Sequence, residues 1–143
     1  MSLFNVFDIA GSAMSAQSVR LNTTSSNLAN AESVSSSVEE TFRARRPVFA
    51  AELQKAMFGS SDQGSNAVGV EVLGIVESDA PLRAEYNPNH PMADKDGYIY
   101  KPNVNVVEEM TDMISASRSY QTNVQIADSA KQMLLQTLRM GKG

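Results

Sequence analysis

The chain is 143 residues long, carries a formal net charge of −4, and has 42% hydrophobic residues but only 6% aromatic ones. An acidic balance argues against nucleic acid as the main partner, because phosphate binding needs a surplus of Lys and Arg. The absence of Cys removes disulfides and thiolate metal sites. With no Trp and eight Met, the apolar side chains suit long seams and adaptable contacts better than one tight globular core.

The first element in chain order is a helix. From Leu3 to Ala31, a spacing of alternating four and three residues picks out Leu3, Phe7, Ala10, Met14, Gln17, Leu21, Thr24, Leu28 and Ala31. Seven of these nine are apolar, which makes a heptad-like seam rather than a broad globular face. A start near Ser2 or Asn5 is expected, with Asp8 favouring the positive end of the helix dipole. No run of apolar residues reaches the roughly 18–20 needed to span a membrane, and no basic residue followed by a long apolar run marks a secretory signal. The expectation is a protein that stays in the cytoplasm or leaves it by a route that cleaves no signal.

The middle reads differently. Residues 32–41 are Ser-rich with three glutamates and read as loop. Residues 47–58 read as a strand followed by a short helix, or as one irregular element. Ser60 to Asn66 is a polar turn segment. Residues 68–77 are β-branched and partly alternating and predict a strand, Leu82–Tyr86 a second, and Tyr98–Tyr100 a third. Asn87–Pro91 and Asp94–Gly97 are turns.

The last pattern is the strongest. Pro102 stops what precedes it, and Asn105-Val106-Val107-Glu108 has the spacing of a capping box with Asn as the cap. The heptad then runs through Val106, Met110, Met113, Ser117, Tyr120, Val124, Ala127, Lys131, Leu134 and Leu138, eight of these ten apolar. Acids gather early (Glu108, Glu109, Asp112) and bases late (Lys131, Arg139, Lys142), as the dipole favours. Gly141 is the expected stop. A helix over 103–140 would run ~50 Å, too long for a small core to cover. Its natural partners are the N-terminal helix and helices of other subunits. The expected architecture is mainly α: long terminal helices packed as a coiled-coil-like pair, with a small β-containing insertion. The segments are 1–31, 32–102 and 103–143. A self-contained two-helix hairpin, or a cytoplasmic coiled-coil adaptor, would also use such seams.

Several clusters bear on possible chemistry. His90 with Asp94 and Asp96 resembles part of a calcium loop, but the Gly and Glu that an EF-hand places at its sixth and twelfth positions are missing. The segment reads as a solvated turn, with a ligand-binding domain over 86–98 as the alternative. No Ser, Tyr, Lys or His falls into a recognised nucleophile–base spacing, and Gly69 and Gly74 interrupt a strand rather than form a phosphate loop. No catalytic, cofactor or metal residue is expected. Arg43, Arg45 and Arg46 form the one basic cluster. It reads as a solvated face, or as a source of salt bridges to Glu71, Glu77 or Asp79 of an adjacent subunit.

Asn27-Leu28-Ala29-Asn30-Ala31 resembles the Asn-(Leu/Ile)-Ala-Asn signature of the axial proteins of the bacterial flagellum. The stretch from Asn105 to Met110 and the stretch from Met113 to Asn123 resemble the C-terminal helix motif of the same family. Arg46-Pro47-Val48-Phe49 and the run from Tyr86 to Val104 narrow the resemblance to the rod proteins, nearest the proximal rod. The resemblance implies a structural subunit of the basal-body rod, exported uncleaved by the flagellar type III apparatus into the periplasm and assembled helically. It would transmit torque and form part of the export channel wall. Implied partners are other copies of the chain, the rod proteins FlgB, FlgF and FlgG, the rod-base protein FliE, and the export apparatus. Neither nucleic acid nor membrane insertion is implied. Expected subunit-packing residues are Phe7, Met14, Leu21, Asn27, Leu28 and Asn30 in the first helix. In the second they are Met110, Met113, Tyr120, Val124, Leu134 and Leu138. Both helices are expected to order only on assembly.

Overall fold

The structure is a computed structural model that describes residues 3–51 and 69–141. Helix α1 spans Leu3–Asn30 and helix α2 spans Val106–Met140. Between them lie strands β1 (Arg45–Ala51), β2 (Val70–Glu77), β3 (Arg83–Tyr86) and β4 (Tyr98–Lys101). Two long helices thus flank a small β-containing region, and the chain is mainly α. Asp8 falls in the second turn of α1, and no acid occupies the first. The short helix expected within 47–58 and the turn expected over 60–66 lie outside the described residues.

β1 pairs with β2 in one two-stranded sheet, and β3 pairs with β4 in another. Both strands of a two-stranded sheet are edges, so Pro47 is tolerated within β1 despite its missing N–H. The β3–β4 pair is antiparallel, with Tyr86 opposite Tyr98 and Arg83 opposite Lys101. The Tyr86 and Tyr98 rings meet edge-to-face at 5.3 Å. Gly97 closes the turn with φ of +83°, a conformation that glycine adopts without steric cost.

The chain divides into two compact units, one of residues 1–19, 48–74 and 115–143 and the other of 20–47 and 75–114. In the second unit Ala31, Ala44 and Val104 form a buried cluster against which Phe42 and Val106 pack. Ile99 and Pro102 are also fully covered. The Ser-rich segment expected as loop is neither helix nor strand, but its hydroxyls tie it down. Ser33 bonds the Asn30 carbonyl at the end of α1 through both its N–H and its Oγ. Thr41 Oγ1 donates to the Ser37 carbonyl at 2.6 Å. Ser35 and Tyr100 exchange two backbone bonds of 3.0 Å, which adds the segment to the edge of β4. In the first unit the Val70 N–H donates to Ser12 Oγ at 3.1 Å.

α2 starts as its cap residue dictates. Asn105 Oδ1 accepts the Val107 N–H at 3.1 Å, and the Asn105 carbonyl accepts the Glu109 N–H. Only half of the expected capping box is present, because the Glu108 carboxylate goes to Arg46. At the far end the Gly141 N–H bonds the Thr137 carbonyl.

Candidate assembly surfaces

The side of α2 that is covered within the chain includes Met113 and Leu134 but leaves most of the helix's large apolar residues outside it. Ala116 and Ala130 are buried, along with Glu109, while Asp112, Met113, Ser119, Asn123, Ala127 and Leu134 are half-buried. These positions recur at three- and four-residue steps and make one narrow stripe. An alanine loses all exposure only where neighbouring atoms approach the helix backbone itself. Most of the large apolar residues flank the stripe and face outward, Leu138 at 61% exposure, with Met110, Tyr120 and Val124 also exposed. Of the residues expected to pack between subunits, Met113 and Leu134 fall on the covered stripe. On α1, Phe7, Met14, Leu21, Leu28 and Asn30 are half-buried.

Asn27 is the exception among them, at 1% exposure. Its side chain faces into the second unit. Oδ1 accepts the Arg45 N–H and Nδ2 donates to the Arg45 carbonyl, both at 2.8 Å. A primary amide can mimic one step of a β-ladder in this way, because it offers a donor and an acceptor side by side. Asn103, which the sequence did not single out, does the same work from the other side. It accepts the Ala44 N–H at 2.8 Å and donates to the carbonyls of Ser78 and Ala80. The only sequence signal for it is a polar residue set between Pro102 and Val104.

The three arginines all have partners within the chain. Arg43 donates to the Ser78 carbonyl at 3.3 Å. Arg45 pairs with Glu77 at 3.4 Å and lies 5.5 Å from the Phe42 ring centre. Arg46 pairs with Glu108 at 2.9 Å, and this hydrogen bond holds its guanidinium above the ordinary pKa. Arg20 meets Asp112 at 2.6 Å and so links α1 to α2 inside the second unit.

Asp94, a candidate metal ligand from the sequence, organises the β3–β4 turn. Its Oδ1 accepts the N–H groups of Asp96 and Tyr98, and its Oδ2 accepts the Tyr100 hydroxyl at 3.3 Å. Desolvation, then the Asp94 charge and this bond, push the Tyr100 phenol above its ordinary pKa. His90 Nδ1 accepts the Met92 N–H. Among the described residues no three His, Asp or Glu side chains come together as a metal group, and no helix is long and apolar enough to cross a membrane.

Comparison with known proteins bears on these surfaces. A family described as "Flagella basal body rod protein" matches residues 7–34. One described as "Flagellar basal body rod FlgEFG protein C-terminal" matches residues 95–140. The chain is 45% identical over 142 residues to the flagellar basal-body rod protein FlgC of Salmonella typhimurium, covering 99% of this chain and 100% of the relative. It is 46% identical to FlgC of Escherichia coli with the same coverage. To FlgC of Bacillus subtilis it is 33% identical over 153 residues, again covering 99% of this chain and 100% of the relative.

Proposed function

From a chain that belongs to the FlgC family of flagellar basal-body rod proteins, we infer a structural subunit of the proximal rod, built to be covered by other subunits rather than to turn over a substrate. The observation that carries this reading is the full-length similarity to FlgC at 45% identity. The exposed apolar residues along α2 support it, since monomeric proteins seldom leave such a row uncovered.

On this reading α1 and α2 pack as a coiled-coil-like pair and meet the helices of neighbouring subunits along the exposed flanks. Head-to-tail contacts that do not close a ring build a helix, so each subunit presents two different surfaces. The helices then form the wall of the export channel and carry torque, while residues 32–102 face outward. Partners are further copies of the chain, FlgB, FlgF, FlgG and FliE, and the type III export apparatus delivers the uncleaved chain to the periplasm. On α2, Met110, Met113 and Met133 supply adaptable contacts where neighbours differ in symmetry.

The test is expression in a strain lacking its own FlgC, followed by isolation of basal bodies. Recovery of the chain in intact rods together with restored swimming is the expected result. Failure of a well-expressed, soluble chain to enter the rod overturns the reading.

A further inference from the structure

Sulfur in this chain is methionine only, since there are eight Met and no Cys. A two-electron oxidant therefore meets thioethers and no thiols. The fold sorts these thioethers by access. Met14 on α1 and Met113 on α2 are half-buried. Met110, Met133 and Met140 of α2 are exposed, Met140 at 77%, and so is Met92 between β3 and β4. Ile126, Met133 and Met140 recur at seven-residue steps and so share one side of α2. All three are exposed along it.

The chemistry available there is simple. A thioether sulfur attacks one oxygen of hydrogen peroxide, an S–O bond forms and the O–O bond breaks. The other oxygen takes the proton of the first and leaves as water, so sulfur loses two electrons and the peroxide gains them. The product is a polar sulfoxide whose oxygen needs a hydrogen-bond donor, and covering it without one is costly. On an exposed helix flank water supplies that donor, and the isolated chain stays folded. Between packed apolar side chains nothing does.

We propose that Met110, Met133 and Met140 are oxidation sites that control entry into the rod: peroxide converts them to sulfoxides in the free chain and thereby bars it from assembly. Assembly in turn shields them. This deepens the rod reading and rests on it. Met14 and Met113 are spared by their cover, and Met92, which lies on neither helix, reacts without consequence for helix packing.

The test begins with peptide mass spectrometry on the purified chain after brief exposure to hydrogen peroxide. Met92, Met110, Met133 and Met140 should gain oxygen before Met14 and Met113 do, and equal rates in the two groups overturn the proposal. Cells that build rods from this chain are then given a peroxide pulse. Sulfoxide at 110, 133 and 140 should be roughly tenfold more frequent in the unassembled pool than in the rods. Equal frequencies overturn the proposal. Met110→Leu, Met133→Leu and Met140→Leu combined nearly keep the side-chain volumes and remove the three thioethers. In a strain lacking its own FlgC, the pulse should delay swimming with the unaltered chain and not with the triple variant, and equal delay overturns the proposal. If the triple variant stays out of rods without peroxide, the comparison of the two pools decides. Absence of the unaltered, unoxidised chain from rods is instead a failure of the rod reading, so the two failures are distinguishable.

Discussion

Glu108 gives its carboxylate to Arg46, 2.9 Å away, rather than to the backbone at the start of its own helix. The start of α2 therefore rests on Asn105 alone for side-chain capping of the Val107 N–H. Asn105→Ala should cost about 1 kcal/mol, the usual loss for an N-cap. Glu108→Gln should cost less than that, because the pair is exposed at 54% and 51% and exposed pairs contribute roughly 0–1 kcal/mol. Urea denaturation of the two variants checks the order.

Gly97 combines a left-handed backbone with close neighbours. A Cβ there would lie 2.9 Å from Tyr86 Cε2 and 3.1 Å from Pro88 Cβ. Gly97→Ala is expected to destabilise the hairpin by roughly 1–3 kcal/mol, through strained φ and displacement of the Tyr86 ring. Near-ultraviolet circular dichroism, which reports the packing of the tyrosines, should show the loss.

The hydrogen bond from Lys101, 2.6 Å away, and its charge hold the Glu85 carboxyl below its ordinary pKa. A carboxylate depressed on folding stabilises the native state above its unfolded pKa, and that contribution fades as pH falls through the folded value. The Tm advantage of the native chain over Glu85→Gln should therefore be present at neutral pH and shrink between about pH 5 and pH 3. An advantage that grows on acidification reverses the sign and refutes the assignment.

The two sides of α2 should respond to mutation in opposite ways. Ala116 has 0% exposure, so Ala116→Leu overpacks the chain itself and should cost about 1–3 kcal/mol. Leu138 is 61% exposed, so Leu138→Glu should change the stability of the isolated chain by less than about 0.5 kcal/mol. In cells the Leu138 change should abolish swimming in soft agar while the protein still accumulates.

Much of the fold was legible because its signals are local. The seven-residue rhythm, Asn105 and Gly141 marked out α2, and β-branched residues at 70–77 marked β2. The Asn27 motif was legible as a feature, but its direction was not. An asparagine near a helix end has many uses, and only the position of the Arg45 backbone turns its amide inward. Asn103 was missed for the same reason, since its partners Ala44, Ser78 and Ala80 lie more than twenty residues away in the chain.

By itself the sequence determined the type and order of the elements and, through its motifs, the rod family, because periodicity, capping and turn chemistry act over a few residues. Tertiary structure alone decided which stripe of α2 is covered, and it gave Arg45 and Arg46 partners within the chain. Hydrophobicity ranks large side chains as the buried ones, but Ala116 and Ala130 are covered because atoms from elsewhere in the chain approach the helix backbone. That leaves Val124 and Leu138 outside the stripe, an outcome no single-helix pattern encodes.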